Sequence, residues 1–527
     1  GTHMNSNVYE PVKPIVQTKY GLLRGVTYGG VNIFMGIQYA TAGRFAMPRE
    51  PEHWDGIKDA LKYGHISPYL SVPDVPFYYR GLFLHHCPGE DCQNLNIWAP
   101  KSQAEERKPV FVWFHGGGFA SGSSLEEYSF DGLHLAQEGD IVFVSVNHRL
   151  NILGYMNLAE YGEAFSESTN HGIYDLAMAL RWIHDNIAAF GGDPGNVTIC
   201  GHSGGGAKVL SMFQMKEVAD CFQRGICLSG TNPAPPPTEW EDSLALTRAM
   251  LDTIGITKEN IQDIYTVPYE VLVGAYKKVA RQLWNEGRYV VFEPQKTAKF
   301  PGIPPFDPFE PCSARKPLLI STTLGEFGRC SVSVEEKHTM TVEQKEAYLR
   351  SKYDSNADKL IKLFRGAFPT HDILDLSYLD TIFRVPALNC ADAKSAQGSN
   401  NTYVYLSAYN MAEDEGIPMW HGGDVCYAFL NEDRVYVANE AVDGPKKANI
   451  FSSVILNFCR NGNPNNCYLP EWPPYTPGNH VTMVIDRESY AKADVDAELA
   501  KLALEISGPF RVPPMHADER AKPQIGV

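Results

Sequence analysis

The chain has 527 residues, of which 44% are hydrophobic, 20% charged and 11% aromatic. This composition is that of an ordinary globular protein, and it argues against a disordered or fibrous one. The net charge of −16 disfavours nucleic acid or an anionic membrane surface as a partner.

The N-terminus and the cysteines bear on where the protein works. Gly1–Met4 resembles the remnant of an expression tag. No apolar run approaches the length of about 18 residues that spans a bilayer, so we expect no membrane span. The eleven cysteines are scattered and odd in number, so they cannot all pair within one chain. They favour a reducing compartment, and we predict a cytoplasmic protein, with a secreted protein that has lost its leader as the alternative.

Three short apolar runs in the first half of the chain predict buried strands. They are Pro109–Phe114, Ile141–Val146 and Val197–Cys200, and such runs are typical of strands buried on both faces of a mostly parallel sheet. His171–Ala188 carries apolar residues three and four positions apart, which predicts a helix before the third strand. The glycine-rich segment Phe190–Gly195 predicts a turn at the start of that strand. The order strand, helix, strand indicates a doubly wound α/β architecture.

Glycine-rich segments follow the first and third of these strands. Gly201-His-Ser-Gly-Gly205 matches G-x-S-x-G, in which the serine occupies a tight strand-to-helix turn and larger flanking residues would collide. His115-Gly-Gly-Gly-Phe119 lets backbone N–H groups approach a substrate oxygen, as an oxyanion hole requires. Taken singly, the two segments also fit an ordinary βα turn and a flexible loop. Their order and separation together favour an α/β-hydrolase.

Ordered motifs along almost the whole chain resemble those of the type-B carboxylesterase family, which includes cholinesterases and many bacterial esterases. The resemblance implies an α/β-hydrolase fold, in which helices flank a large, mostly parallel central sheet and helical and loop insertions form an active-site gorge. It also implies a serine hydrolase of carboxylic esters that uses no cofactor and no metal. The motifs are Thr18–Gly21, Phe34–Ala40, Arg44–Phe45, Trp54, Glu90–Trp98, Val146–Leu150, Phe190–Pro194 and Leu469–Tyr475.

The resemblance implies where the catalytic acid lies. Leu318–Ile320 is expected to be a strand, and Ser321–Glu326 the turn after it that carries the acid, Glu326. The family usually has an acidic residue before this position and glycine after it. Here the neighbours are Gly325 and Phe327, which points to a different local turn.

The catalytic histidine is implied in the same way, because residues 421–429 closely follow the family's histidine segment. We therefore predict that Ser203 is the nucleophile, that His421 is the general base and acid, and that Glu326 orients His421. The predicted oxyanion hole consists of the backbone N–H groups of Gly117, Gly118 and Gly204.

Two ion pairs and one serine are further implied by the resemblance. Arg44 with Glu90, and Arg149 with Asp175, are expected to brace the loops around the gorge. Ser229 is expected to lie behind the triad.

Two departures from the family bear on the substrate. His202 precedes the nucleophile where the family usually has a glutamate, which in cholinesterases helps to accommodate cationic substrates. We interpret His202 as filling space, with a functional neighbour of the triad as the alternative. No tryptophan lies between Trp54 and Trp98, where cholinesterases stack choline on one, and Phe77–Tyr79 and Phe83 are candidates to line the entrance. We expect neutral short- to medium-chain alkyl or aryl esters as substrates.

Several alternatives stay open. The cluster His85, His86, Cys87, Asp91 and Cys92 permits a metal site, but its spacing is not a recognised zinc pattern, and a loop at the gorge rim is the favoured interpretation. A lipase, an amidase or an acetyl-specific deacetylase would use the same triad, whereas the family's noncatalytic adhesion proteins usually lack the serine. Because the three triad residues must meet in one site, residues 5–527 are expected to form a single domain. The expected partner is a small-molecule ester, and no oligomeric state is predicted.

Overall fold

A computed structural model describes most of the chain, in four segments that cover residues 7–70, 87–231, 237–412 and 416–508. Three sets of residues that carry predictions lie outside the described residues. They are the tag remnant at 1–4, the aromatic residues at 77–79 and 83, and the histidines at 85 and 86.

The described residues form sixteen strands and thirteen α-helices. The strands are β1 (Ile15–Gln17), β2 (Leu22–Arg24), β3 (Val26–Tyr28), β4 (Val31–Gln38), β5 (Ile57–Asp59), β6 (Asn94–Pro100), β7 (Lys108–Phe114), β8 (Val142–Val146), β9 (Gly192–His202), β10 (Arg224–Leu228), β11 (Leu318–Thr323), β12 (Thr402–Ser407), β13 (Asn410–Met411), β14 (Ile417–Pro418), β15 (Val481–Ile485) and β16 (Tyr490–Ala493). The helices are α1 (Leu133–Gly139), α2 (Asn151–Tyr155), α3 (His171–Asn186), α4 (Gly204–Phe213), α5 (Trp240–Thr253), α6 (Tyr269–Asn285), α7 (Val334–Thr339), α8 (Val342–Tyr353), α9 (Ala357–Ala367), α10 (Arg384–Ser395), α11 (Val425–Ala428), α12 (Asp443–Asn461) and α13 (Ala497–Ser507).

Eleven strands form one mixed sheet, in the order β16-β15-β12-β11-β10-β9-β7-β8-β6-β4-β3. Its middle, from β15 to β8, is parallel throughout, and the antiparallel pairs lie towards its two edges. A small sheet of β1, β2 and β5 and the pair β13 and β14 lie apart from it. The predicted large, mostly parallel central sheet is confirmed.

Helices cover both faces of the sheet. Side chains alternate along its central strands, so each of these strands contributes apolar residues to a core on either face. On β7, Val110 and Val112 lie in one core with residues of α3 and α4, whereas Phe111 and Trp113 lie in a second core with residues of α1 and α12. All four side chains are buried. Burial on both faces is the physical reason for the continuous apolar runs in the sequence.

The third predicted strand begins earlier than the sequence suggests. β9 starts at Gly192, inside the predicted turn at 190–195. Between the pairs Lys108–Gly192 and Val110–Val197, the chain advances two residues on β7 and five on β9. The extra residues form a bulge, so the glycine- and proline-rich segment interrupts the ladder between β7 and β9 without ending the strand.

Both ion pairs implied by the resemblance are present. Arg44 donates to the two carboxylate oxygens of Glu90 at 2.8 and 2.6 Å, and Arg149 donates to those of Asp175 at 2.9 and 2.7 Å. Arg149 and Asp175 are buried, and Arg149 also donates to the carbonyl of Ala46 at 2.8 Å. Removing one partner of a buried ion pair costs about 3–5 kcal/mol, because the other charge is then left buried and unpaired. The pair therefore holds the loop at Ala46 firmly against α3.

One buried histidine makes the stability of the fold depend on pH. His371 contacts Asp375 through Nδ1 at 2.9 Å and Asp486 through Nε2 at 2.6 Å. Burial disfavours the charged imidazolium, but the hydrogen bonds and charges of the two carboxylates outweigh burial and raise the pKa of His371 to about 9. Since the pKa in the unfolded chain is about 6.5, His371 stabilises the folded state fully below that pH, and this stabilisation is lost as the pH rises through about 9.

We therefore expect the free energy of unfolding to fall by on the order of 3 kcal/mol between pH 6.5 and 9.5, from this group alone. Denaturant unfolding measured across that range tests the expectation. His371→Gln is the matched variant, because it removes the titrating group, and its unfolding free energy should change much less with pH. Equal slopes for the two proteins would contradict this role of His371.

Among the described residues, every helix is too short or too polar to span a bilayer. All eleven cysteines lie in the described segments, and none of them forms a disulfide there.

Candidate active site

Four neighbouring parallel strands, β11, β10, β9 and β7, end at the same edge of the sheet. The segments that follow them carry Glu326, Ser229, Ser203 and 116–118. Carboxyl ends of parallel strands meet at one edge, so residues far apart in sequence lie close together here. His421 joins them from the segment after β14. Its backbone N–H donates to the backbone carbonyl of Glu326 at 3.0 Å.

Ser203 occupies a strained turn between β9 and α4, with φ 57° and ψ −126°. A positive φ is unfavourable for a residue other than glycine and persists only where the surroundings impose it. The Ser203 N–H donates to the carbonyl of Leu228, and its carbonyl accepts the N–H of Gly206, both at 2.9 Å. Backbone hydrogen bonds thus fix the turn, so the side chain of Ser203 is not needed for this purpose. The serine remains partly exposed.

Two glycines are required around this turn because backbone segments pack against each other. A Cβ atom at Gly201 would overlap the backbone of Gly205, and a Cβ atom at Gly205 would overlap the carbonyl of Phe114. The predicted need for glycine on both sides of Ser203 is confirmed.

We expect Gly201→Ala to lower the free energy of unfolding by about 1–3 kcal/mol, because the added methyl group overpacks the turn. A displacement of about 1 Å at the serine would lower kcat/KM by about 100-fold. Gly274→Ala is the matched control. A Cβ atom at Gly274, in α6, meets nothing within 4 Å. This variant should therefore keep full activity, and its free energy of unfolding should rise by up to about 1 kcal/mol. Equal behaviour of the two variants would contradict the steric argument.

The loop after β7 places backbone N–H groups beside Ser203. Gly117 and Gly118 have φ of 90° and 60°, and their N–H groups donate to no acceptor in the part of the chain that the structure describes. Gly204 is the first residue of α4, where N–H groups lack partners within the helix. A Cβ atom at Gly204 would overlap the backbone of Gly118. The structure thus brings the three glycines of the predicted oxyanion hole together.

Glu326 and His421 are joined by a short hydrogen bond. Nδ1 of His421 lies 2.6 Å from Oε2 of Glu326, and both side chains are buried. Facing a carboxylate, Nδ1 carries the proton, so Nε2 is the basic nitrogen of the neutral ring. The imidazole is therefore held in the tautomer that accepts a proton at Nε2.

The carboxylate of Glu326 is itself held from behind. Its Oε1 accepts hydrogen bonds from the Ser229 hydroxyl at 2.6 Å and the Thr323 N–H at 2.8 Å. The Glu326 N–H in turn donates to Oγ1 of Thr323 at 3.1 Å. Ser229, which was expected behind the triad, thus contacts the predicted acid on the side away from His421.

Burial shifts the pKa values of both partners. It raises the pKa of Glu326, which the hydrogen bonds from Ser229 and Thr323 oppose. It lowers the pKa of His421 to about 3, so the imidazole is neutral near pH 7. The site therefore holds a neutral imidazole against a buried carboxyl group.

Sequence reasoning missed two residues near this pair. Phe383 packs flat against the His421 ring, and Asp380 is a buried carboxyl group whose pKa is raised to about 7 by burial and by Glu326. Neither lies in a recognisable motif. Phe327 also contacts His421. The sequence did mark this position, because the family usually has glycine after the acid and this chain has phenylalanine.

One group among the described residues brings three possible metal ligands together, and it lies outside this site. His184, Asp220 and Cys221 place ligand atoms within 4.8 Å of one another. Asp220 already accepts two hydrogen bonds from Arg181, at 3.1 and 2.9 Å. The described members of the cluster at 85–92 do not form such a group.

The chain is similar to several known esterases. A solved structure of an esterase from anaerobic Clostridium hathewayi, which can hydrolyze aliphatic aromatic polyesters, matches with a TM-score of 0.89 and 35% identity over 95% of this chain and 99% of that one. The carboxylesterase of Geobacillus stearothermophilus matches with a TM-score of 0.72 and 29% identity over 92% and 99%. The para-nitrobenzyl esterase of Bacillus subtilis is 29% identical over 92% of this chain and 97% of its own length.

These structural matches confirm the α/β-hydrolase fold. The model of the carboxylesterase family matches residues 12–503. The chain belongs to the carboxylesterase family and is a carboxylic ester hydrolase.

Proposed function

We propose that Ser203, His421 and Glu326 are the catalytic triad of this hydrolase. The observation that carries the proposal is the 2.6 Å hydrogen bond between Glu326 and Nδ1 of His421, at the same sheet edge as a serine in a strained, partly exposed turn. Nε2 of His421 takes the proton of the Ser203 hydroxyl, and the serine oxygen attacks the ester carbonyl. The carboxylate of Glu326 stabilises the imidazolium that forms.

The backbone N–H groups of Gly117, Gly118 and Gly204 receive the developing oxyanion. Loss of one such donor typically costs about 3 kcal/mol of transition-state stabilisation. The tetrahedral intermediate collapses as His421 returns the proton to the departing alkoxide, which leaves as the alcohol and gives an acyl-enzyme. Water then attacks the acyl group, with His421 again as base, and releases the acid.

The substrates proposed are neutral carboxylic esters with short- to medium-chain alkyl or aryl groups. His202, the residue before the nucleophile, is buried, and burial together with His421 lowers its pKa well below the usual value. It therefore supplies no charge to attract a cationic alcohol. The name of the para-nitrobenzyl esterase, a relative of this chain, supports neutral esters that carry an aromatic group.

A second candidate substrate class is an aliphatic aromatic polyester. The similar Clostridium hathewayi esterase can hydrolyze such polymers, and this chain aligns with nearly all of it. A polymer segment is itself a neutral ester of an aromatic acid, so it requires no change in the proposed chemistry.

A fluorophosphonate probe tests the proposed nucleophile directly. We expect one covalent label on the folded protein, located at Ser203 by peptide mass spectrometry, and protection by a slowly hydrolysed ester. An unlabelled folded protein would refute the triad and favour a binding role. A panel that varies acyl length and alcohol separately, with an amide, an emulsified triglyceride and a polyester film, then separates the esterase from the amidase, lipase and deacetylase alternatives.

We also propose that residues 5–527 form one domain. The supporting observation is that Ser203 and Glu326 follow strands of the same sheet, while β15 and β16 extend that sheet beyond residue 480. Limited proteolysis should therefore not release a fragment that retains activity.

A further inference from the structure

We propose that His202, Phe327 and Phe383 act as positioning residues that exclude water from the imidazole of His421 and hold its plane. The inference rests on the proposed role of His421 as general base. We refer to these three side chains as the ring enclosure.

The three rings contact the imidazole from separate parts of the chain. Phe383 lies almost parallel to His421, with ring centroids 4.7 Å apart and planes 13° apart. Phe327 and His202 are tilted against it, each with a centroid separation of 4.4 Å. These separations are those of packed aromatic pairs. With Nδ1 occupied by Glu326, the imidazole has little freedom to rotate.

A separate set of bonds fixes Phe383 in place. The carboxyl group of Asp380 accepts the N–H groups of Ile382, Phe383 and Arg384, at 2.9, 2.8 and 2.6 Å. The Asp380 N–H donates to the carbonyl of Leu324 at 3.0 Å, within the turn that carries the acid. The backbone that presents Phe383 is therefore tied to the backbone that presents Glu326.

Phe327 contacts the imidazole of His421 and also lines a cavity. It lines an open cavity of about 260 Å³ together with Leu376, Leu379, Asp380 and Ile382, and His421 does not line that cavity. A cavity of this size with a polar group in its wall is large enough to hold several waters. Truncating Phe327 would open a route from this cavity to the imidazole.

Water at the imidazole would change its basicity. Burial lowers the pKa of His421, so solvent that reached the ring would stabilise the imidazolium and raise that pKa. The ionisable groups near the ring are Glu326 on Nδ1 and His202. Behind Glu326 lie Asp380 and Asp424, whose pKa values are raised by burial and by Glu326.

The rate of fluorophosphonate labelling against pH tests the ring enclosure. We expect Phe327→Ala to move the midpoint of the acid limb upward by at least about one pH unit, and to lower kcat about tenfold or more while KM changes little. Phe327→Leu should lie between the wild type and the alanine variant, and Phe383→Leu should shift the midpoint in the same direction. Phe213→Leu is the matched control, because that ring contacts Phe222 and Phe309.

Circular dichroism and thermal unfolding establish that each variant is folded. Folded Phe327 and Phe383 variants with the wild-type midpoint would refute the enclosure, even if their kcat were lower. If Phe327→Ala does not fold, the two leucine variants decide the question. Failure of the wild type to label would instead refute the proposed triad, so the two failures are distinguishable.

Discussion

Replacing Ser203 by alanine is expected to lower kcat for ester hydrolysis by about 10⁴- to 10⁶-fold. The alanine variant has no hydroxyl group to attack the ester, and the N–H groups of the oxyanion loop alone give only weak catalysis. The fold should survive, because the hydrogen bonds of the turn to Leu228 and Gly206 are made by the backbone of residue 203. Release of nitrophenolate from p-nitrophenyl butyrate measures the loss, and thermal unfolding measures the fold.

Ser211→Ala is the matched control for this variant. Ser211 lies in the same helix, α4, it is buried, and its hydroxyl donates to the carbonyl of Ala207 at 2.8 Å. It should retain activity within about threefold of the wild type, since a lost internal hydrogen bond costs only about 1 kcal/mol of stability. Folded Ser203→Ala protein with more than a hundredth of the wild-type activity would exclude this serine as the nucleophile.

Part of the site could be predicted because its chemistry is local in sequence. Gly201 and Gly205 flank Ser203, and a Cβ atom at Gly201 would overlap the backbone of Gly205, only four residues further along the chain. The apolar runs of β7 and β9 indicated the strand before each glycine-rich segment. Such short-range constraints leave a pattern in the sequence.

The other parts of the site depend on contacts between distant segments. Glu326 and His421 are 95 residues apart in sequence, and only the resemblance to a family indicated that pair. Phe383 reaches His421 because Asp380 holds its turn against Leu324. No periodicity or motif in the sequence predicts such a contact. The segments that carry Leu324, Phe383 and His421 come together only when the chain folds.

The bulge in β9 shows the same limit for the fold. A segment rich in glycine and proline usually indicates a turn, and local preferences therefore predict that the strand begins after residue 195. The partner strand β7 overrides these preferences by pairing Lys108 with Gly192. The location of a strand end is thus decided by its neighbour in the sheet.

Replacing Glu326 by glutamine is expected to lower kcat by about 10³- to 10⁴-fold with little loss of stability. The amide oxygen keeps the hydrogen bonds from Ser229 and Thr323 to Oε1. The amide nitrogen then faces Nδ1 of His421, and since both groups cannot donate, the proton of the imidazole moves to Nε2. The ring is left in the tautomer that cannot accept the proton of Ser203.

Stability should change little in this variant because burial opposes the charge of Glu326, and the amide is neutral and of similar volume. Asp424→Asn provides the matched control. Asp424 is also buried, its pKa is raised by burial and by Glu326, and it accepts a hydrogen bond from Tyr405 at 2.6 Å that an amide oxygen preserves. It should retain kcat within about tenfold, because it removes a nearby charge without touching the tautomer of His421. Comparable losses in both variants would show that the local field alone matters, whereas a loss confined to Glu326→Gln identifies the hydrogen bond to Nδ1 as the element that makes His421 a base.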